Sequence, residues 1–282
     1  MSRVLELFGE PTSRSGPHWA ALTTGQICPF TRTKCFKVRK SDPTISIGSC
    51  TVGYGVDENP GIVCPNRFLE RDRIFLDSIH LLTSHEPGND LHVIPETAVP
   101  GGSIDYFLVS ARRGKVQDFV GIEVQGLDTT GTVWPERERF LRDLELPHDK
   151  VAAKSDKPFG INWKMSAKTI LVQLHHKIET FEHIGKKLVL ADQDILYDYM
   201  RREFSFDHVA NEARLGDSMH FHNYALTVHQ GEFRLELASR KSTDAAGVAR
   251  CLGLQSEARV ELSYFVEKLE AALTPQNRLS LR

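Results

Sequence analysis

Two β-rich runs separated by a polar segment limit the fold of this chain more than any other stretch. The runs cover 104–110 and 118–125, and Gly114 lies between them. Apolar alternation on both sides of a short segment that contains glycine predicts a β-hairpin. Position 114 is the midpoint between Asp105 and Glu123, so a turn there sets these two carboxylates opposite each other on neighbouring strands.

The polar face of this hairpin has the composition of a metal-dependent hydrolase site. Gln125 lies two residues beyond Glu123, and strand periodicity puts it on the same face. Hard divalent cations prefer oxygen ligands, and two carboxylates leave positions free for water and a phosphate oxygen. Glu96, nine residues before Asp105, is a third acid that can join the metal shell. An ordinary half-exposed hairpin whose polar side chains face water explains the same pattern.

Composition excludes several classes of protein. The 282 residues suffice for one large or two ordinary domains, and no apolar run approaches the length that spans a bilayer. The N-terminus lacks the plan of a signal peptide, so we expect a cytoplasmic location without membrane association. The net charge of −2 gives no overall attraction to nucleic acid, so DNA binding requires a local basic surface.

Four of the five cysteines cluster near the N-terminus. Cys28, Cys35, Cys50 and Cys64 fall within 26–66, a segment rich in Gly, Pro, Ser and Thr without sustained periodicity. Such a segment does not build its own core, and thiolates around one tetrahedral ion, iron or zinc, would stabilise it. We therefore expect an embedded four-cysteine metal-binding lobe. Buried free thiols are the alternative.

The remaining pattern predicts one α/β domain over 1–282. Helical spacing predicts an amphipathic helix over about 67–84, a long helix over about 163–184 and helices near 243–252 and 256–273. A buried strand at 188–191 precedes a helix over 194–203. A second hairpin is predicted from strands at 219–229 and 232–239.

The order of several short motifs resembles that of the NotI-type restriction endonucleases. The motifs are Cys28-Pro-Phe, Cys35, Gly-Ser-Cys50, Ile-Val-Cys64-Pro-Asn-Arg-Phe68, Ile-Pro-Glu96, Gly-Ser-Ile-Asp105 and Gly-Ile-Glu123-Val-Gln125. The resemblance covers about 26–130 and implies a PD-(D/E)xK nuclease core, a mixed sheet flanked by helices, in a homodimeric type II enzyme. It also implies magnesium at the acidic site, a non-catalytic iron on four cysteines and a G·C-rich palindromic target.

Carried over by position, the resemblance puts Glu96, Asp105, Glu123 and Gln125 in the active site and the four clustered cysteines on iron. The sequence departs from the superfamily pattern in two places. No proline precedes Asp105, and Gln125 stands where a lysine is usual. Glutamine can orient a water molecule but cannot neutralise a phosphate.

We expect a sequence-specific, magnesium-dependent endonuclease that cuts double-stranded DNA. Its basic surface is expected to include Arg39 and Lys40 beside the cysteines and Arg112, Arg113 and Lys115 at the hairpin tip. A non-enzymatic DNA- or protein-binding module built on the cysteine lobe is the alternative. That module has no reason to aim two acids at a polyanion. A repair-type nuclease would share the chemistry but not the order of the cysteines.

Overall fold

A computed structural model describes residues 2–14, 18–253, 266–267 and 269–271. The strands are β1 (Val4–Leu7), β2 (Glu10–Pro11), β3 (Val38–Arg39), β4 (Asp42–Ser46), β5 (Ser49–Tyr54), β6 (Asn59–Ile62), β7 (Asp90–Val99), β8 (Gly102–Arg112), β9 (Lys115–Gln125), β10 (Thr129–Thr130), β11 (Gly160–Ile161), β12 (Lys187–Gln193), β13 (Met219–His229) and β14 (Glu232–Thr243). The helices are α1 (Trp19–Gly25), α2 (Arg73–Leu76), α3 (Trp134–Asp143), α4 (Lys150–Ala153), α5 (Trp163–His183), α6 (Asp194–Glu203) and α7 (Ala245–Cys251). The helix predicted over 256–273 lies outside the described residues except for 266–267 and 269–271.

A six-stranded mixed sheet forms the centre of the fold. Its strand order is β14-β13-β12-β9-β8-β7. Strands β7, β8 and β9 form an antiparallel meander, whereas β12 runs parallel to both of its neighbours, β9 and β13. The chain passes through α5 between β9 and β12, since parallel neighbours need a long crossover. The predicted mixed α/β sheet with flanking helices is confirmed.

The central strand β12 is buried on both faces. Leu188 and Leu190 pack in the same apolar cluster as Leu174 of α5. On the other face, Val189 packs in a cluster with Phe68. A strand that is covered on both faces carries apolar residues at consecutive positions, which explains the Leu-Val-Leu-Ala sequence at 188–191.

The cysteine-containing segment does not stand apart from this core. Its strands β5 and β6 join the N-terminal strands in a four-stranded sheet of order β2-β1-β5-β6. Gln193, the last residue of β12, accepts from the backbone N–H of Ile62 and donates to the carbonyl of Pro60, both at 2.8 Å. The backbone N–H of Leu127 donates to the Ile62 carbonyl at 2.7 Å. The small sheet is therefore docked at the carboxyl ends of β9 and β12.

The continuous helix expected over 67–84 is wrong. A 3-10 helix over Pro65–Asp72, α2 and a second 3-10 turn over Ile79–Leu81 take its place. Glu70 has extended backbone (ψ 116°), and its carboxylate accepts from the backbone N–H of Leu235 and from buried Arg67, both at 2.8 Å. These bonds hold Glu70 out of the helical conformation, so tertiary contacts override the apolar periodicity.

The other predicted elements are confirmed by α5, by the pair of β12 and α6 and by the hairpin of β13 and β14. Cys251 of α7 is buried in the main apolar cluster, as expected for a core thiol. Within the described part of the chain, no helix combines the length and apolar character that a membrane span requires.

Candidate active site

The predicted hairpin of β8 and β9 has the expected register. Tyr106 pairs with Ile122, and the next step along both strands sets Asp105 opposite Glu123. The chain turns back at 113–114, where Gly114 has a φ of +72°. The two carboxylates are thus neighbours across one strand pair, at the end of the hairpin far from its turn.

Glu96 lies beside Asp105 on the edge strand β7. The pairs Pro95 with Tyr106 and Thr97 with Ile104 bracket it, which places Glu96 opposite Asp105. Glu96 has a φ of +44°, a left-handed conformation that side chains other than glycine adopt rarely. The acids Glu96, Asp105 and Glu123 therefore form one row across β7, β8 and β9, which we call the acidic row. Their burial increases along it from exposed Glu96 to fully buried Glu123.

Gln125 begins a second row, closer to the docked small sheet. Its amide donates to the carbonyl of Gly126. Parallel pairing sets Gln125 beside Asp192 of β12 and Asp192 beside Asn223 of β13. Asp192 is fully buried, and within the part of the chain that the structure describes neither of its carboxylate oxygens has a hydrogen-bond partner. Burial, and then nearby Asp194, raise the pKa of Asp192 well above its usual range.

Helix α5 delivers a lysine to the acidic row. The Nζ atom of Lys177 lies 2.7 Å from Oε1 of Glu123, and both side chains are buried. The Oδ2 atom of Asp105 accepts from the backbone N–H of Val124 at 2.8 Å, which fixes the orientation of that carboxylate. The row thus has one acid held by an ammonium group and one held by the backbone.

The electrostatics of the row disfavour its full ionisation. Burial and the charge of Asp105 raise the pKa of Glu123 to about 7, against the opposing effect of Lys177. Burial raises the pKa of Asp105, and Glu96 adds to that shift, whereas the Val124 N–H opposes it. Adjacent carboxylates that resist ionisation are stabilised by a cation placed between them.

Two oxygen-donor side chains are enough for one class of cation. Among the described residues, no three Cys, His, Asp or Glu side chains are arranged to enclose a metal ion. Magnesium is usually bound by one or two carboxylates, with water and substrate phosphates completing its shell. Asp105 and Glu123 fit that requirement, and exposed Glu96 lies at the open end.

The four N-terminal cysteines are buried, and none of them forms a disulfide with another described residue. The Cys50 and Cys64 side chains share a hydrogen bond, which lowers the pKa of Cys64 to about 7 and raises that of Cys50. Burial raises the pKa of Cys35, and the nearby charges of Cys64 and Cys28 add to this. The four thiols are thus neighbours, but the expected four-cysteine metal lobe is not shown in the described part of the chain.

A cleft of about 900 Å³ opens between the cysteine segment and the carboxyl end of β9. Gln125, Arg39 and Lys40 line it. The Arg39 guanidinium stacks 4.7 Å from the ring centre of Trp134 and lies 3.0 Å from the Asp149 carboxylate, so its position is set before any ligand binds.

The other predicted basic residues lie elsewhere. Arg112, Arg113 and Lys115 flank the turn of the hairpin. Arg112 is seven residues from Asp105 along β8, roughly 23 Å at the rise of an extended strand. Its guanidinium pairs with exposed Glu86 at 3.1 Å. The structure therefore brings Arg39 and Lys40, but not the hairpin tip, to the end of the sheet that carries the acids.

A family model described as restriction endonuclease NotI matches residues 18–215. That span exceeds half of the chain and includes the acidic row, Lys177, Asp192 and the four clustered cysteines. The chain belongs to the NotI restriction endonuclease family. A search among curated proteins finds no matching relative. As a NotI-family member, the chain is a type II site-specific deoxyribonuclease that binds double-stranded DNA.

The sequence analysis did not single out two residues that the structure brings to the candidate site, Lys177 and Asp192. Lys177 falls on the buried stripe of α5, between Leu174 and Phe181, and a charged residue at a core-facing position was the signal that pointed to it. Asp192 ends an apolar strand that leads into a helix. Its place beside Gln125 depends on parallel pairing, which the sequence does not reveal.

The raised pKa of Glu123 predicts how stability depends on pH in the metal-free NotI-family enzyme. The folded state holds a proton on Glu123 up to about pH 7, whereas the unfolded chain releases it near its ordinary value of 4.5. The stability from this group is complete below that value and is lost as the pH rises through about 7, roughly 3 kcal/mol in all. Glu123→Gln keeps an oxygen for Lys177 and removes the titration.

Denaturation in urea with EDTA at pH 5 and pH 8 measures the effect. The stability of Glu123→Gln relative to wild type should increase from pH 5 to pH 8. The assignment fails if the two proteins change stability in parallel.

Proposed function

We propose that this enzyme is a magnesium-dependent endonuclease that cuts both strands of a G·C-rich palindrome, with Asp105 and Glu123 as the metal-binding carboxylates. The observation that carries the proposal is the acidic row, which sets two partly or fully buried acids side by side with raised pKa values. The match to the NotI family supports the same chemistry.

Gln125 and each side chain of the acidic row have separate roles in the proposed reaction. Asp105, oriented by the Val124 N–H, and Glu123, oriented by Lys177, would hold a magnesium ion. When bound there, the ion would polarise a phosphate oxygen and lower the pKa of a coordinated water. Gln125 aligns the attacking water, and Glu96 serves an outer position. Attack forms a new P–O bond in line with the one that breaks.

The cleft supports a DNA-binding role for its basic residues. Arg39 and Lys40 line the same cleft as Gln125, so a duplex bound there reaches the active end of the sheet. Arginine is the usual bidentate reader of guanine, and stacking on Trp134 pre-orients the Arg39 guanidinium. Arg112, Arg113 and Lys115 are proposed to contact phosphates farther along the duplex.

We also propose a two-fold symmetric dimer as the active form. A palindrome cut on both strands is served most simply by two sites related by a two-fold axis. Strand β7 is an edge of the large sheet and leaves Leu91, Val93 and Ile94 exposed. An apolar sheet edge is a template for pairing with another chain, and a second copy would cover it.

A structural metal on Cys28, Cys35, Cys50 and Cys64 completes the proposal. The four thiols are buried and lie close enough for their charges to interact. Thiolate ligands suit iron or zinc and would join strand β5 to the loops around it. This ion has no part in the chemistry, because the cysteines are separate from the acidic row.

The cleavage prediction compares Asp105→Asn with Asp57→Asn, an exposed aspartate in a turn outside the row. With magnesium and plasmid DNA, wild type and Asp57→Asn should give the same discrete fragments. Asp105→Asn should cut roughly 100-fold more slowly or worse, since it loses oriented charge at the metal. Its DNA affinity in calcium should be unchanged or tighter. If Asp105→Asn cuts as fast as wild type, Asp105 is not part of the active site.

The dimer is tested separately by sedimentation of the protein bound to a duplex that contains the cut site. A single protein chain on that duplex would refute the dimer.

The recognition prediction compares Arg39→Ala with Arg112→Ala on the cut-site duplex and on an unrelated duplex. Arg39→Ala should lose about 1–3 kcal/mol of discrimination between the two, as expected for a base contact. Arg112→Ala should weaken both complexes equally, as expected for a phosphate contact. Fluorescence anisotropy in calcium gives the affinities. If Arg112→Ala loses discrimination and Arg39→Ala weakens both complexes equally, the residues that contact bases lie at the hairpin tip instead.

The metal prediction rests on elemental analysis of the purified protein. Wild type should contain near one equivalent of iron or zinc per chain, and Cys64→Ser should lose both the metal and stability. Cys251→Ala is the matched control, since Cys251 is also buried but lies on α7, with its sulfur beside His208. A wild-type protein without metal would show that the four cysteines are buried thiols.

A further inference from the structure

Lys177 is buried where the periodicity of α5 calls for an apolar side chain. Leu174 and Phe181, which precede and follow it on the same stripe, are buried in the main cluster. Lys177 itself is only 5% exposed. Burial of an ammonium group costs several kcal/mol unless the charge is paired and hydrogen-bonded. A lysine at this position therefore needs a partner that the fold itself supplies.

That partner is the most buried acid of the acidic row. The Nζ atom of Lys177 is 2.7 Å from Oε1 of Glu123, a distance typical of a charge-assisted hydrogen bond. Lys177 also lowers the pKa of Asp105, so its charge reaches the second carboxylate as well. One ammonium group thus acts on both of the proposed metal ligands.

The backbone around Lys177 is built for close approach. A Cβ at Gly101 would lie 2.3 Å from the carbonyl oxygen of His176, and one at Gly102 would lie 3.3 Å from Cε of Lys177. Both glycines have positive φ, +90° and +139°. The turn between β7 and β8 can rest on α5 at this point only because it lacks side chains. Lys177 is therefore enclosed between this turn and Glu123.

The strand position that would carry a positive charge is occupied by neutral Gln125. We propose that Lys177, reaching in from α5, is the lysine of this active site and supplies the positive charge that Gln125 lacks. It acts as a positioning residue that holds the Glu123 carboxyl group in its orientation and counters the charge that accumulates as the phosphate is attacked. This inference rests on the proposed function of the acidic row.

Two other roles for the same contact make different predictions. A purely structural ion pair would affect stability without changing the cleavage step. A lysine that only fills the place of the absent cation would compete with magnesium, and its removal would tighten metal binding at an unchanged rate. The proposed role affects the rate of cleavage at saturating magnesium, and a positively charged replacement restores part of that rate.

The experiment compares Lys177→Met, Lys177→Arg and Lys168→Met, a change of an exposed lysine on the same helix. Single-turnover cleavage of a plasmid that wild type cuts is measured at saturating magnesium from pH 6 to pH 9. Lys177→Met should cut about 100-fold more slowly, the scale for loss of one oriented charge. Its affinity for DNA in calcium should be unchanged.

Lys177→Arg should recover a measurable part of the rate, and Lys168→Met should match wild type. Should Lys177→Met fail to fold by circular dichroism, Lys177→Gln, which keeps a hydrogen-bond donor for Glu123, replaces it in the same assay. Cleavage by either neutral variant within about threefold of wild type overturns the inference, with or without tighter magnesium binding. So does a Lys177→Arg protein that cuts no faster than the neutral variant. A wild-type protein that cuts no DNA refutes the proposed function instead.

Discussion

The contact between Lys177 and Glu123 is the constraint on which the rest of the site depends. The positive charge beside buried Glu123 comes from the helix packed above the sheet and not from a strand. That choice requires α5 to approach the sheet closely, which in turn requires Gly101 and Gly102 in the turn beneath it. The contact between Lys177 and Glu123 and the packing of α5 on the glycine-containing turn therefore require the same close approach of helix and sheet.

The residues proposed for catalysis and those proposed for base recognition share one end of the sheet. The small sheet that carries the cysteine segment is docked there through Gln193 and Leu127, and the cleft between the two sheets has Gln125 on one side and Arg39 on the other. The side chains proposed to read bases and those proposed to cut are therefore attached to a single core. A shift of the cysteine segment would change the shape of the cleft directly.

The local sequence pattern predicted the hairpin, but it did not predict the side chains that other elements bring to it. The pairing of Asp105 with Glu123 was predicted from a turn centred on Gly114. The turn is centred between Arg113 and Gly114, and a register shift between Ser110 and Ala111 restores the predicted pairing. Lys177 and Asp192 reach the site through helix packing and parallel pairing, which are not local. The helix expected over 67–84 failed for a related reason, since Arg67 and Glu70 bond to distant residues. The sequence places the four cysteines in one segment, but how closely their sulfurs converge depends on tertiary contacts.

The parallel pairing of β12 has a consequence for the order in which the chain can fold. Strands β8 and β9 are joined by a tight turn, whereas β12 meets β9 only after the chain has run from Gln125 through α5 to Lys187. Contacts between distant parts of a chain form more slowly than local ones, because more loop entropy must be lost first. The hairpin can therefore close before α5 arrives, with its two acids still in water. Neutralising these acids early, by acid or by a divalent cation, would accelerate the steps that bury them.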